Sequence, residues 1–220
     1  MIEAKSPTER IRKAYNLWSY CYNKFSPSWE HEPRMLGLDL AAIKSQDRVL
    51  EVAVGTGRTL LEILKRVDKT NVVYGVDLSP KMLAKARHAV NAAGYKNIDL
   101  READSRRLPY ANGEFDVLYN SYMLDLMPLK DMPLVLNEFH RVLKPGGRLV
   151  LVDMSKRDES KLIFWERFYK SLPALLVPYL LGGCRPVLME SLVRQCGFSE
   201  VTREFVSKAL PSEIVTATKP

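Results

Sequence analysis

Apolar and polar positions change their period twice along the chain. Residues 8 to 25 repeat at helical spacing and are rich in aromatics, with Thr8 as N-cap, Arg10, Arg12 and Lys13 on the solvated side, and Phe25-Ser26-Pro27 as the stop. Pro33 to Lys44 continues the helical pattern through Met35, Leu36, Leu38, Leu40 and Ile43. At Asp47-Arg-Val-Leu-Glu-Val-Ala-Val54 it turns into a nearly unbroken apolar run, which predicts a buried strand. Strands over 48–54, 71–77, 97–103, 115–120 and 147–153 then alternate with helices over 58–67, 80–93 and 129–143, except that the strands over 97–103 and 115–120 follow each other directly. That alternation predicts βαβ units in a doubly wound α/β sheet. Gly94 stops one helix, and Lys144-Pro-Gly-Gly147 stops another. After Asp153 the pattern is again helical and strongly apolar, through Leu162, Ile163, Trp165, Phe168, Tyr169 and Leu172, and reads as an insertion over the sheet. A helix over 186–196, a strand over 198–206, a turn at Pro211 and a strand over 213–218 predict an antiparallel C-terminal hairpin.

At 220 residues the chain fits one domain that buries roughly 70% of its unfolded surface. Within it we expect an N-terminal helical cap (1–45), a sheet core (46–155), the helical insertion (156–185) and a closing helix and hairpin (186–220). Met1 to Arg10 is charged and lacks the apolar stretch of a secretory signal, and the longest apolar run, Leu172 to Leu181, holds two prolines and falls short of the ~20 residues of a membrane span. Three cysteines, Cys21, Cys184 and Cys196, show no metal-site spacing, so a cytoplasmic address and no metal are expected. The net charge of +7 is spread thinly: 8 basic against 6 acidic residues up to 48, 15 against 12 from 49 to 152, and 10 against 8 thereafter. Nucleic-acid readers gather such charge on one helix or stripe, so no nucleic-acid partner is expected, while weak attraction to an anionic membrane remains open.

The chemistry concentrates where strands run into turns. Val49-Leu-Glu-Val-Ala-Val-Gly-Thr-Gly57 leads a strand into a glycine turn and then a helix, an arrangement that lets backbone N–H groups approach a ligand. Leu60 stands where a dinucleotide fingerprint needs its third glycine, which disfavours a pyrophosphate. Glu51 is a carboxylate inside an apolar strand, a costly placement that either serves a cationic ligand or is offset by an arginine or backbone amides. Asp77, 20 residues after Gly57, stands at the spacing that grips ribose hydroxyls, or else caps the next helix, for which Ser79 is the better cap. Glu102-Ala-Asp104-Ser105 and Tyr119-Asn120-Ser121-Tyr122 mark the ends of the next two strands.

Taken in order, Glu51-Val-Ala-Val-Gly-Thr-Gly57, Val76-Asp77-Leu-Ser-Pro-Lys-Met82, Ala103-Asp104-Ser-Arg-Arg-Leu-Pro109, Phe115-Asp-Val117 and Arg141-Val-Leu-Lys-Pro-Gly-Gly-Arg-Leu149 resemble the class I S-adenosylmethionine-dependent methyltransferases over residues 10 to 155. The nearest resemblance is to the ubiquinone and menaquinone C-methyltransferase group, with its Ser155-Lys156 pair, whereas Tyr15-Asn-Leu-Trp18-Ser-Tyr-Cys-Tyr22-Asn23 resembles the entry of bacterial phospholipid N-methyltransferases. The resemblance implies a Rossmann-like, mostly parallel seven-stranded sheet and S-adenosylmethionine as donor, leaving as S-adenosylhomocysteine. It further implies donor contacts from Tyr22, Glu51, Ala53, Gly55, Thr56, Gly57, Asp77, Leu78, Met82, Asp104, Ser105 and Asn120. Gly55 and Gly57 would cradle the methionine moiety, Asp104 and Ser105 would face the adenine, Asn120 would lie beside the methionine end, and Tyr22 would close over the site. Two departures stand out: asparagine replaces aspartate in both Tyr-Asn pairs, and Phe205 to Leu210 lacks the Asn-Leu-Thr stretch of the quinone enzymes.

Methyl transfer demands alignment first and a base only where the acceptor carries a proton. Tyr22, Tyr122 and Asp125 are the candidate catalytic side chains, Asp125 being equally readable as a structural cap, and none of the three histidines stands out. Trp165, Phe168 and Tyr169 read either as core or as a lid that lines an apolar cavity or meets a membrane surface beside Lys161, Arg167 and Lys170, with Arg185 reaching into such a cavity. The acceptor so implied is small and apolar or lipid-like, either a quinone-type ring or a phospholipid amine. The alternatives are a polar small-molecule acceptor, an NAD-dependent oxidoreductase opposed by Leu60, and a donor-binding subunit without transfer.

Overall fold

Because Val49–Val52 is buried on both faces, it forms the central strand, β1, of the computed structural model, which describes residues 1–19, 30–156, 164–180, 182–206 and 211–220, apart from the Trp165 side chain. β2 (Val73–Asp77), β3 (Ile98–Glu102), β4 (Phe115–Ser121) and β5 (Leu143–Met154) run parallel to it, and β6 (Ser199–Val206) pairs with β7 (Ser212–Thr218), which inserts antiparallel beside β5. The order is β3-β2-β1-β4-β5-β7-β6. The mixed seven-stranded sheet with its antiparallel C-terminal hairpin is thus the predicted one.

Alternation along the strands gives the sheet two cores. Leu50, Leu118 and Leu151 pack under α5 (Met132–Val142) with Leu136 and Phe139, and Val49, Val117 and Val150 pack under the other layer with Leu38, Leu60 and Ala86. That layer holds α2 (His31–Leu40), α3 (Arg58–Leu64) and α4 (Pro80–Ala92). The strand order reverses between β1 and β4, and in open α/β sheets the crevice beyond the carboxyl ends at such a point binds ligands.

Several boundaries differ from the sequence reading. α1 covers Thr8–Trp18 and is capped by the extended Pro7 without a side-chain bond, so Thr8 lies inside the helix rather than capping it. Lys144-Pro-Gly-Gly147 does end α5, but it is a bulge within β5, whose pairing jumps from Leu143–Phe115 to Arg148–Val117. The last helix, α8, is only Glu190–Gln195, because Val187 is held as a bridge to Ser155. The insertion forms α6 (Phe164–Ser171) and α7 (Val177–Leu180). A buried Lys156–Glu166 ion pair at 3.2 Å joins it to the end of β5, and Tyr169 and Val177 pack on Ile2. Among the described residues no helix is long and apolar enough to cross a membrane.

Candidate active site

A cleft of roughly 1060 Å³, counted to its open mouth, lies over the carboxyl ends of β1, β2 and β3. Its floor is the turn that follows β1. The N–H groups of Ala53 and Val54 both donate to the Val76 carbonyl, at 2.8 and 3.1 Å, so the chain leaves the sheet abruptly, with positive φ at Ala53 (63°), Gly55 (53°) and Gly57 (85°). The two glycines have different reasons. A Cβ on Gly57 would stand 3.0 Å from Ala86 Cα and 3.1 Å from Ala86 Cβ, so Gly57 lets α3 pack on α4; a Cβ on Gly55 would meet nothing within 4 Å, in the open space of the cleft.

Two acids shape the polar edge. Glu51 lines the cleft at 1% exposure, and among the described residues its Oε2 has no hydrogen-bond partner. Burial pushes its carboxyl well above the usual range, with Arg34 pulling the other way and Asp77 adding to the rise. An orphaned buried carboxylate oxygen facing a cleft is a binding point for a cation or a donor group. Asp77 accepts the Gly55 N–H through Oδ2 and the Ser79 N–H through Oδ1, both at 2.8 Å, and so ties the turn after β1 to the end of β2. Burial raises it to about 6 against the pull of these amides. Ser79, not Asp77, is the helix cap, its Oγ accepting the Met82 N–H at 3.1 Å. The same hydroxyl donates to Asn16 Oδ1 of α1 at 2.6 Å, an interaction that docks α1 against the cleft.

Of the sequence candidates, Ala53, Thr56, Leu78, Met82, Asp104, Ser105 and Tyr122 also line the cleft. Burial would raise Asp104, but the Arg106 guanidinium, whose Nε lies 3.0 Å from its Oδ1, outweighs that and holds it below the ordinary value. Tyr122 has φ 50°, its hydroxyl is 3.0 Å from Ser212 Oγ, and Arg34 lies 5.1 Å over its ring. Burial pushes this phenol upward, against the pull of the Ser212 hydrogen bond.

Other candidates stand elsewhere. Asn120 is fully buried outside the cleft lining, where its Nδ2 donates to the Val52 carbonyl at 2.8 Å across β4 and β1. Asp125 is also outside the lining: its Oδ2 accepts from Met154 N at 3.4 Å, its N–H donates to Asp153 Oδ1 at 3.2 Å, and burial raises both carboxyls. Arg185 does not reach into the cavity. It is fully buried and donates from Nε to Ile2 O at 2.8 Å, from Nη1 to Asp125 O at 2.6 Å and from Nη2 to Met127 O at 2.5 Å. Tyr22 lies outside the described residues.

The sequence reading missed the opposite wall. Ile11 and Tyr15 of α1, Arg34 of α2, and Met123, Leu126 and Met127 after β4 face the same cleft. Ile11, Met123, Leu126 and Met127 showed only an apolar pattern that core helices share, Tyr15 stood in the stretch that resembles the phospholipid enzymes, and Arg34 carried no signal.

A glycine turn with a buried acid behind it, a second acid at the end of β2 and an apolar wall opposite define a donor-binding α/β transferase site. The methyltransferase-domain family matches residues 49–147, from β1 into the bulge of β5. A demethylmenaquinone methyltransferase of Thermus thermophilus is 35% identical over 76% of this chain and 80% of its own length. A phosphatidylethanolamine N-methyltransferase of Cereibacter sphaeroides is 31% identical over 72% of this chain and 75% of its own. Other curated relatives are matched over 54% to 87% of their length. A solved S-adenosylmethionine-dependent methyltransferase of Aquifex aeolicus superposes with a TM-score of 0.67 over 92% of this chain and 98% of its own, at 20% identity, a likeness of fold. This chain belongs to the class I S-adenosylmethionine-dependent methyltransferases, in the branch that contains the quinone C-methyltransferases. Its donor is S-adenosylmethionine, and the site passes a test of fit: the orphaned Glu51 oxygen answers the donor's cationic end, and the missing side chain at Gly55 leaves room for it.

Proposed function

We propose that this chain transfers the methyl group of S-adenosylmethionine to a ring carbon of a small, apolar, quinone-type acceptor. The observation that carries the reading is the division of the cleft: acids and glycines line one side, and Ile11, Met123, Leu126 and Met127 line the other. The similarity to the Thermus demethylmenaquinone methyltransferase supports the same acceptor class. A phospholipid amine is the second reading, favoured by the similarity to the Cereibacter enzyme.

When bound, the donor would supply an electrophilic methyl: its S–C bond breaks as the C–C bond to the ring forms, a neutral thioether leaves, and the proton displaced from the ring carbon passes to solvent water. The chain's part is alignment, which can supply ~7–11 kcal/mol of a barrier. Glu51 meets the donor's ammonium, directly or through water. Asp77 would accept from the ribose hydroxyls. Asp104 and Ser105 would border the adenine, and Gly55 and Thr56 the methionine chain. Asn120 acts from behind by holding the Val52 carbonyl, and so the turn, in place.

Incubating the protein with methyl-labelled donor and a cell extract, then separating neutral lipid, phospholipid, polar and RNA fractions, tests the acceptor. Label in neutral lipid supports the ring reading, label in phospholipid replaces it with the amine reading, and label confined to the polar or RNA fraction refutes both.

A further inference from the structure

Helices α6 and α7 have one satisfied side. Tyr169 is 2% exposed with its hydroxyl accepting the Lys5 N–H at 2.9 Å, Val177 is fully buried against Ile2, and Glu166 is buried in its ion pair with Lys156. The other side carries apolar groups into solvent. Of eleven large apolar side chains exposed among the described residues, six fall within residues 164–180: Phe164, Phe168, Leu175, Leu176, Tyr179 and Leu180. Leu175 and Leu180 are 62% and 58% exposed, and Leu17, on the helix that packs against α7, is 58% exposed. Clustering of this kind marks a contact surface.

The charges on the same elements have one sign. Arg167 and Lys170 on α6 and Lys13 on α1 are exposed, whereas the acids there are engaged: Glu166 by Lys156, and Glu9 by Arg12 at 2.9 Å. Apolar groups flanked by an aromatic and cations are what an anionic lipid interface takes up. A second copy fits less well, because a two-fold interface sets each patch against itself and would bring these cations together.

This surface also adjoins the site. A Cβ on Gly183, near the end of the insertion, would stand 2.6 Å from Ile11 Cδ1 and 3.6 Å from Leu126 Cδ2, two side chains of the apolar cleft wall. We infer that the outer face of the insertion docks on an anionic lipid bilayer, so that an apolar acceptor passes from the membrane to the cleft beside α1. The inference rests on the lipid-like acceptor proposed above for its purpose, though not for its physical basis.

The test is co-sedimentation of the full chain with vesicles of phosphatidylcholine alone or mixed equally with phosphatidylglycerol, at low and high salt. Wild type is expected to partition at least tenfold more strongly onto the anionic vesicles and to lose that preference as salt screens it. Arg167→Gln with Lys170→Gln should weaken anionic binding about fivefold per charge removed. Leu175→Ser with Leu176→Ser should weaken binding to both vesicle types, and exposed positions spare the fold. Donor affinity by calorimetry is expected to be unchanged in every variant. A wild type that ignores both vesicle types, or variants that bind as wild type does, overturns the inference. So does a concentration-dependent dimer that the leucine pair abolishes, which would assign the face to a second copy. Vesicle binding without donor binding would leave the surface standing and refute the reading of the cleft.

Discussion

Exchanging side chains at two positions of one turn should move stability in opposite directions. Gly57 has φ 85°, and an added Cβ would lie 3.0 Å from the Ala86 backbone, which cannot swing aside as a side-chain tip can. Gly57→Ala therefore incurs about 1–2 kcal/mol for the left-handed backbone and about 1–3 kcal/mol for forcing α3 off α4, less the roughly 0.4–1 kcal/mol gained by stiffening the unfolded chain. A net loss of about 1–5 kcal/mol follows. Ala53, four residues earlier, already holds φ 63°. Ala53→Gly relieves a strain of about 1–2 kcal/mol at an unfolded-state cost of about 0.4–1 kcal/mol, for a net gain of up to about 1.6 kcal/mol. Urea unfolding followed by far-ultraviolet circular dichroism reads both as shifts of the midpoint at constant slope. If both variants shift the midpoint in the same direction, or if Gly57→Ala is neutral, the packing argument for the turn is wrong.

Two further predictions concern the buried polar groups behind the cleft. Asp125 and Asp153 are both raised by burial, so each binds its proton more tightly in the folded state. The contribution of this pair to stability is then greatest at acid pH and is lost as pH rises past the ordinary carboxyl range, and Asp125→Asn should flatten that fall by at least about 1.4 kcal/mol, the worth of one pKa unit; a slope equal to wild type in urea titrations from pH 5 to 8 would show that Asp125 does not titrate there. Arg185→Met strips three buried carbonyls of their donor, at about 1–3 kcal/mol each before water relieves them. A loss of about 3 kcal/mol or more is expected, with faster amide exchange at residues 125–127; unchanged exchange there would separate Arg185 from the cleft wall.

What was legible in the sequence is what is local. The turn from Glu51 to Gly57, the acid at the end of β2 and the Ser79 cap are spelled within a few residues, because backbone conformation and nearest-neighbour bonds decide them. Strand existence was equally plain, since strands buried on both faces must be apolar throughout. Roles that depend on distant partners were hidden. Asn120 has the composition of a ligand contact and the placement of a strand tie, because Val52, 68 residues away, takes its amide. Arg185 promised a cavity lining and became a clamp, since the three carbonyls around it come from two remote segments. The aromatic run of the insertion was ambiguous for the same reason: Tyr169 is core and Phe168 is 37% exposed, one residue apart on a helix. Helix ends moved by a turn where tertiary contacts intervened, as at Val187.

The cleft between Glu51 and Asp77 is the proposed donor site. Calorimetric titration of S-adenosylmethionine into wild type and Asp77→Ala, with circular dichroism confirming the fold of each, tests it most directly. Two hydroxyl hydrogen bonds to a charged acceptor, at about 1.5–3 kcal/mol each, predict a loss of affinity of at least about a hundredfold. Burial pushes Asp77 up to about 6, so wild-type affinity should weaken as pH falls below that value, and more steeply than that of Asp77→Ala, in which only Glu51 remains to take up a proton. Equal affinity in the two proteins would contradict the placement of the donor.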